Sequence, residues 1–165
     1  MLRPYTLADK YDLAKTEVMI TGIQALVRLP LMQRALDQRD KLNTAGFISG
    51  YRGSPLGALD QELWRQQSLL RSHDIHFEPG INEDLAATAI WGTQLTDYYR
   101  ADATRDGVFS MWYGKGHGVD RSGDVFRQAN IQGTAQHGGV LAVVGDDHSA
   151  ESSTFAHETD QIFEA

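Results

Sequence analysis

The residue of this sequence best placed for acid–base chemistry is Glu83. It follows Asn82 and the break formed by Pro79 and Gly80, and it opens an alanine-rich segment that predicts a closely packed helix. A carboxyl group held in such an apolar setting can exchange a proton with a bound base. The alternative interpretation is structural, because a carboxylate in the first turn of a helix also complements the helix dipole.

A second candidate is the glycine-rich segment 114–118 (GKGHG), which follows a predicted strand and precedes a predicted helix. Backbone amides in such a turn can hold a phosphate. The dinucleotide fingerprint is incomplete because Val119 occupies the position of its last glycine, and the nucleotide P-loop pattern fails at Phe109. The segment is therefore either a turn that needs glycine or a loop that contacts a ligand.

Candidate metal ligands are few. Asp146 and Asp147 end a predicted strand, where they could recruit Mg²⁺ or cap a loop, and the capping interpretation is favoured. His73 and His76 lack further ligands at a metal-binding spacing. We expect no metal site on this chain.

The elements that position these residues follow from alternating short apolar runs and helical periodicities. The pattern predicts an α/β fold with an open, mainly parallel sheet flanked by helices. Strands are predicted at 45–49, 75–77, 107–113 and 140–144, with 18–20 as a further strand or the start of the first helix. Helices are predicted over 22–41 with a kink or a division at Pro30, from Pro55 after an N-cap at Ser54, from Glu83, and over about 120–136.

Residues 140–144 form the most apolar run and are the best candidate for a central strand. Ligands of open α/β sheets bind beyond the carboxyl ends of the strands. We therefore expect the loops at 50–54, 80–83, 114–118 and 145–149 to gather at one edge.

Composition is that of a globular domain of 165 residues without cysteine. Disulfides and cysteine-ligated iron–sulfur clusters are therefore excluded from this chain. The 22 acidic residues exceed the 15 basic ones, giving a net charge of −7, which disfavours binding to nucleic acid. Neither a secretory signal nor a membrane span is evident, and we expect a cytoplasmic protein.

Four segments together resemble the pyrimidine-binding domain of thiamine diphosphate-dependent 2-oxoacid:ferredoxin oxidoreductases, in particular those of the indolepyruvate type. Segment 50–55 (GYRGSP) is similar to the family's Gly-Tyr-Pro-Gly-Thr-Pro turn, and residues 82–83 (NE) to its Asn-Glu helix start. Segment 114–118 falls where the family has a lysine followed by a glycine-containing turn. Residues 143–147 (VVGDD) and 149–161 are similar to its Asp-Asp, Ser-Ser and Glu-x-Asp stretch.

The resemblance implies site roles. Glu83 would hydrogen-bond the aminopyrimidine ring of thiamine diphosphate and promote the imino tautomer that deprotonates the thiazolium. The residues implied to bind the cofactor with Glu83 are Gly53, Ser54, Pro55 and Asn82. Those implied to contact the substrate are Lys115, toward the 2-oxoacid carboxylate, and His117.

The resemblance also implies a longer enzyme. Residues 1–16 would be an N-terminal arm and 17–165 a pyrimidine-binding domain truncated at its C-terminus. Other domains would hold the diphosphate with Mg²⁺ and the iron–sulfur clusters, and the enzyme would be a homodimer. With coenzyme A and ferredoxin as partners, it would decarboxylate an aryl 2-oxoacid to an acyl-CoA, and the fragment alone would be inactive.

Departures from the family pattern leave alternatives open. Arg52 replaces a proline, Ser54 replaces a threonine, and segment 114–118 has extra glycines and a histidine. One alternative is a non-catalytic interaction or regulatory domain with the same fold. Another is a nucleotide- or phosphate-binding module that uses segment 114–118.

Overall fold

The computed structural model of the chain describes residues 6–53, 55–98, 101 and 103–153. The strands are β1 (Ala45–Gly50), β2 (Ile75–Phe77), β3 (Val108–Lys115) and β4 (Gly139–Gly145). The helices are α1 (Gly22–Arg39), α2 (Gly57–Arg65), α3 (Gln67–Ser72), α4 (Glu83–Thr93), α5 (Gly116–Arg121) and α6 (Gly123–Gln132), and a 3₁₀ helix (Leu7–Tyr11) precedes them. No helix within the described ranges combines the length and the apolarity needed to cross a membrane.

The four strands form one open sheet in the order β2-β1-β3-β4, and each neighbouring pair is parallel. This arrangement confirms the predicted fold class, an α/β fold with an open parallel sheet flanked by helices. Because the strands are parallel, their carboxyl ends all lie at one edge of the sheet, which we call the carboxyl edge.

Each face of the sheet has its own apolar core. Helices α1, α2 and α3 cover one face, where Ile48 and Met111 of the strands pack with Val27 and Leu31 of α1. Helices α4, α5 and α6 cover the other face, where Trp112 is fully buried. The remaining buried residues of this second core are Ala86, Ala87, Ile90 and Val119. The alanines let α4 approach the sheet closely, as its sequence predicts.

The described part of the N-terminal arm packs on α1 and α2. Arg28 of α1 is almost fully buried, and its guanidinium donates hydrogen bonds to the carbonyl oxygens of Lys10 and Asp12. Tyr11 Oη donates to Glu62 Oε1 of α2 at 2.7 Å. These polar contacts anchor the arm to the two helices, and Tyr11 also packs against their core.

Helix α1 is a single element that passes through Pro30, so of the two expected outcomes at this proline, a kink or a division, the division does not occur. Val27 and Leu31 on either side of Pro30 are fully buried. Packing of both halves against the same core outweighs the ~3 kcal/mol that a proline costs inside a helix. Residues 18–20, predicted as a strand or the start of this helix, are neither.

The helix after β1 begins later than predicted. Pro55 and Leu56 form a turn and α2 starts at Gly57, so the expectation that Pro55 is the first helical residue is wrong. This turn packs on the end of β4, because a Cβ atom built at Gly145 would lie only 2.9 Å from Pro55 Cδ. Ser54, the predicted N-cap, lies outside the described residues.

Strand β4 lies at the edge of the sheet, so the expectation that residues 140–144 form a central strand is wrong. Within the described chain β4 pairs with β3 alone. Val140 and Leu141 are consequently each 43% exposed, despite their apolar side chains. The central strands are β1 and β3.

Candidate functional site

The carboxyl edge brings the predicted loops together. Tyr51 N donates to Tyr113 O at 3.0 Å, which joins the ends of β1 and β3. Gly80 N donates to Gly50 O at 2.8 Å, which joins the segment after β2 to the end of β1. The segments after all four strands therefore share this edge, as predicted, although segment 114–118 belongs to β3 and α5 and is not one of the loops.

Glu83 is the first residue of α4, and its backbone is held from two directions. Asn82 precedes the helix, and its Oδ1 accepts a hydrogen bond from Leu85 N at 2.8 Å, so the predicted cap and helix start are confirmed. Trp112 of β3 donates from Nε1 to Glu83 O at 3.1 Å. The cap closes the first turn of α4, and the bond from Trp112 ties this turn to the sheet.

The Glu83 side chain packs against Gly118 of α5. A Cβ atom built at Gly118 would overlap Glu83 Cγ and would lie 3.0 Å from Glu83 Cδ. Glu83 is half-buried, and its carboxylate has no hydrogen-bond or ion-pair partner among the residues that the structure describes. Because none of the described residues bonds its oxygens, this half-buried carboxylate can accept a hydrogen bond from a ligand.

Segment 114–118 is not a loop, which corrects the prediction of a glycine-rich turn. Gly114 and Lys115 are the last residues of β3, and α5 begins at Gly116. The single helix predicted over about 120–136 is likewise two helices, α5 and α6. The three glycines of the segment are buried, and β3 passes directly into α5.

Lys115 is engaged by the segment that follows β4. Its Nζ donates to Ser152 O at 3.1 Å and to Ser152 Oγ at 3.2 Å, and lies 3.5 Å from Asp147 Oδ2. Ser152 thus accepts two hydrogen bonds from the ammonium group, and Asp147 balances its charge. A substrate carboxylate would have to compete with these two residues for Lys115.

Asp147 holds this segment in place. Its carboxylate accepts hydrogen bonds from Ser152 N at 2.9 Å, Ser152 Oγ at 3.0 Å and Glu151 N at 3.0 Å. These bonds, chiefly that from the Ser152 backbone, lower the pKa of Asp147 below the usual carboxyl range. Asp147 is therefore ionised at neutral pH and caps its loop. Within the described chain, no group of three acidic or histidine side chains could hold a metal ion.

The other predicted site residues are spread along the carboxyl edge. Gly53 lies beside Lys115, since a Cβ atom built at Gly53 would be 4.0 Å from Lys115 Cβ. Pro55 and His117 are exposed, on the turn before α2 and on α5. Ser54 is outside the described residues. Gly53 and Lys115 are thus neighbours, whereas Pro55 and His117 lie at the surface.

A large apolar cavity of about 460 Å³ lies away from this edge, between α1 and the amino-terminal halves of β3 and β4. Leu29 of α1 lines it on one side, and Phe109, Met111 and Leu141 line it on the sheet side. None of the predicted site residues borders it. The cavity follows from the open position of β4, whereas the carboxyl edge is where parallel sheets bind ligands. We therefore place the candidate site at the carboxyl edge.

The residues that support Glu83 carry no motif of their own. From the sequence alone, Trp112 is predicted only to lie in a strand, and Gly118 only to belong to a glycine-rich segment. The one signal is that segment 114–118 keeps three alternating glycines although it matches neither nucleotide motif. Glycines without a phosphate-binding pattern indicate close packing, which is what Gly118 provides for Glu83.

Comparisons of the chain with protein-family models, with curated proteins and with solved structures found no match. The chemistry of the site therefore has to follow from its own residues. An accessible, half-buried carboxylate at the end of a sheet can hydrogen-bond a heterocyclic nitrogen and exchange a proton with it.

Proposed function

We propose that this chain is the pyrimidine-binding domain of a thiamine diphosphate-dependent 2-oxoacid:ferredoxin oxidoreductase of the indolepyruvate type. The observation that carries the proposal is the Glu83 carboxylate, which is half-buried at the carboxyl edge and has no partner among the described residues. Such a group fits the aminopyrimidine ring of thiamine diphosphate, because it can hydrogen-bond a ring nitrogen and move a proton there.

The fit concerns the pyrimidine half of the cofactor. Glu83 and Asp84 both lie in the first turn of α4, where their negative charges repel a phosphate at that helix end. The family resemblance implies that another domain of a longer enzyme holds the diphosphate and Mg²⁺, and the two carboxylates at this helix end are consistent with that assignment. Iron–sulfur clusters ligated by cysteine must also lie elsewhere, since these 165 residues include no cysteine.

When bound, thiamine diphosphate supplies the carbon nucleophile for a 2-oxoacid carbonyl and accepts the electron pair left when CO₂ departs. The complete enzyme would convert a 2-oxoacid and coenzyme A to an acyl-CoA, CO₂ and a proton, and pass a pair of electrons to ferredoxin. In this reaction Glu83 holds and exchanges the proton at the pyrimidine ring, and Asn82 keeps the first turn of α4 in place. Lys115 binds the substrate carboxylate once Ser152 has been displaced.

The nucleotide-binding alternative is disfavoured by one contact. The Glu83 side chain packs directly on Gly118, so a carboxylate stands beside the segment that would have to hold a phosphate. Like charges at such short range are repulsive. The non-catalytic alternative predicts instead that no small ligand contacts Glu83.

The test is ligand-observed NMR on the chain together with the diphosphate-binding domain of the same enzyme, with thiamine diphosphate and Mg²⁺, and with ATP and NAD in parallel. Variant Glu83→Gln removes the negative charge that faces Gly118. Its matched control, Asp84→Asn, removes the neighbouring charge from the same helix turn. We expect thiamine diphosphate to bind the wild type and Asp84→Asn, with affinity for Glu83→Gln lower by about 10-fold or more, as for loss of a charged hydrogen bond.

Three results would contradict the proposal. Binding of ATP or NAD in preference to thiamine diphosphate would favour the phosphate-binding module. Equal thiamine diphosphate affinity in Glu83→Gln and Asp84→Asn would remove Glu83 from the site. Absence of any thiamine diphosphate signal at millimolar concentration would favour the non-catalytic domain.

A further inference from the structure

Two glycines of segment 114–118 make room for Glu83 and for the residue that holds it. Gly118 faces Glu83 directly, and a Cβ atom at this position would overlap Glu83 Cγ. Gly114 affects Glu83 indirectly, through Trp112, because a Cβ atom at position 114 would lie 2.7 Å from Trp112 Cζ2. Trp112 in turn donates its indole hydrogen bond to Glu83 O. Two of the three glycines in the pattern that fails as a nucleotide motif are therefore explained by packing around Glu83.

Neither side of the contact between Glu83 and Gly118 can move away easily. The Glu83 carbonyl accepts the Trp112 hydrogen bond, and the Asn82 cap closes the helix turn that Glu83 begins. Gly118 is buried in α5, next to Val119, which is fully buried in the core beneath α4. The overlapping atom, Cγ, is close to the backbone and is not the flexible end of the side chain.

We infer that Gly118 is a positioning residue, which selects the side-chain rotamer of Glu83 and so directs its carboxylate toward the ligand. A methyl group at position 118 occupies the space of Glu83 Cγ, so the side chain must rotate to another staggered χ1 rotamer. The carboxylate then leaves its position. The role of the contact between Glu83 and Gly118 in ligand binding rests on the proposed function. The contact itself is independent of that function.

The experiment compares Gly118→Ala with Gly92→Ala in the 165-residue chain. Both replace a helical glycine, but Gly92 lies in α4 with nothing within 4 Å of an added Cβ atom. The first readout is the ¹³C resonance of the Glu83 carboxyl carbon, assigned by its loss in Glu83→Gln. We expect Gly118→Ala to shift this resonance and Gly92→Ala to leave it unchanged.

Stability and rescue provide the second readout. Gly118→Ala should lower Tm by about 5 °C, as overpacking does in a chain of this size, and Gly92→Ala should not. Adding Glu83→Ala removes the overlapping Cγ, so most of this loss should be recovered in the double variant. If Gly118→Ala alone does not fold, recovery of folding in the double variant supports the inference, and failure of both to fold contradicts it.

The third readout separates this inference from the proposed function. Thiamine diphosphate should bind Gly118→Ala as weakly as Glu83→Gln. If Glu83→Gln weakens binding and Gly118→Ala neither shifts the resonance nor weakens binding, the positioning role is wrong and the proposed function stands. If Gly118→Ala shifts the resonance while Glu83→Gln binds normally, the contact is real and the proposed function is wrong.

Discussion

Among single residues, Tyr113 and Asp60 form a buried polar contact that ties the sheet to α2. Tyr113 Oη donates to Asp60 Oδ2 at 2.8 Å, and both residues are buried. Variant Tyr113→Phe leaves the buried carboxylate without this donor and should lower the free energy of unfolding by about 1–3 kcal/mol. Urea denaturation measures the loss. Tyr98→Phe, at an exposed position, should have little effect, and equal stabilities of the two variants would show that the bond contributes nothing.

The same tyrosine predicts how stability depends on pH. Burial, followed by the hydrogen bond to Asp60, raises the pKa of Tyr113 above the usual value of about 10. Above about pH 10 the unfolded chain loses this proton while the folded chain keeps it, so the free energy of unfolding falls as pH rises. Below about pH 10 the contribution is complete. Stability measured between neutral and alkaline pH should fall less steeply in Tyr113→Phe.

At this scale the sequence predicts positions better than contacts. Asn82 and Glu83 stand out because a capping residue, an acid and an alanine-rich run are local signals, and the structure has the cap and the helix start there. The packing of Glu83 on Gly118 joins two helices remote in sequence, and no local pattern reports it. The partner of Lys115 was likewise not predictable, because Ser152 reaches it from beyond another strand.

Among the elements, α4 depends on its N-cap. Asn82→Ala removes the acceptor for Leu85 N and should lower the free energy of unfolding by about 1 kcal/mol, while Asn82→Asp keeps the acceptor and should retain most of the stability. Thermal unfolding followed by circular dichroism compares the two. Similar losses in both variants would mean that the side-chain hydrogen bond is not what stabilises this helix end.

Element bounds were predictable where a local signal decides them. Strand β2 and the start of α4 match the sequence prediction, since a short apolar run and a capping residue mark them. The start of α2 does not, because the turn of Pro55 and Leu56 packs on Gly145 of a strand much later in the chain. Segment 114–118 was mistaken for a loop because glycine serves close packing and turns equally well.

For the whole molecule, the open side of β4 leaves apolar side chains of a strand exposed to solvent. Leu141 is 43% exposed on an edge strand of uncharged residues, which is the kind of edge that associates with other strands. Leu141→Lys should therefore reduce self-association of the isolated chain at high concentration, as measured by gel filtration with light scattering. Ile131→Lys is the matched control, since it adds the same charge at an 81% exposed position on α6. Equal self-association of the two variants would show that β4 is not responsible.

The position of β4 in the sheet could not be read from its sequence. An apolar run indicates that both faces of a strand are suited to burial, but it does not say what lies beside the strand. The fold class was predictable because alternation of strands and helices is a property of the whole chain. Strand order depends on which segments remote in sequence pair with each other. The residues of a single apolar segment do not contain that information.

The parallel arrangement of this sheet also has a kinetic consequence. Its pairings join Ala45 to Val108 and Phe109 to Gly139, so none of the described strands is paired with a neighbour through a short turn. No β-hairpin can therefore nucleate the sheet, and each ladder must wait until an intervening loop has closed. The helices, whose hydrogen bonds are local, can form before the strands that they cover. During this interval the apolar segment that becomes β4 has no partner. This segment is therefore most prone to associate with other chains before the native state is reached.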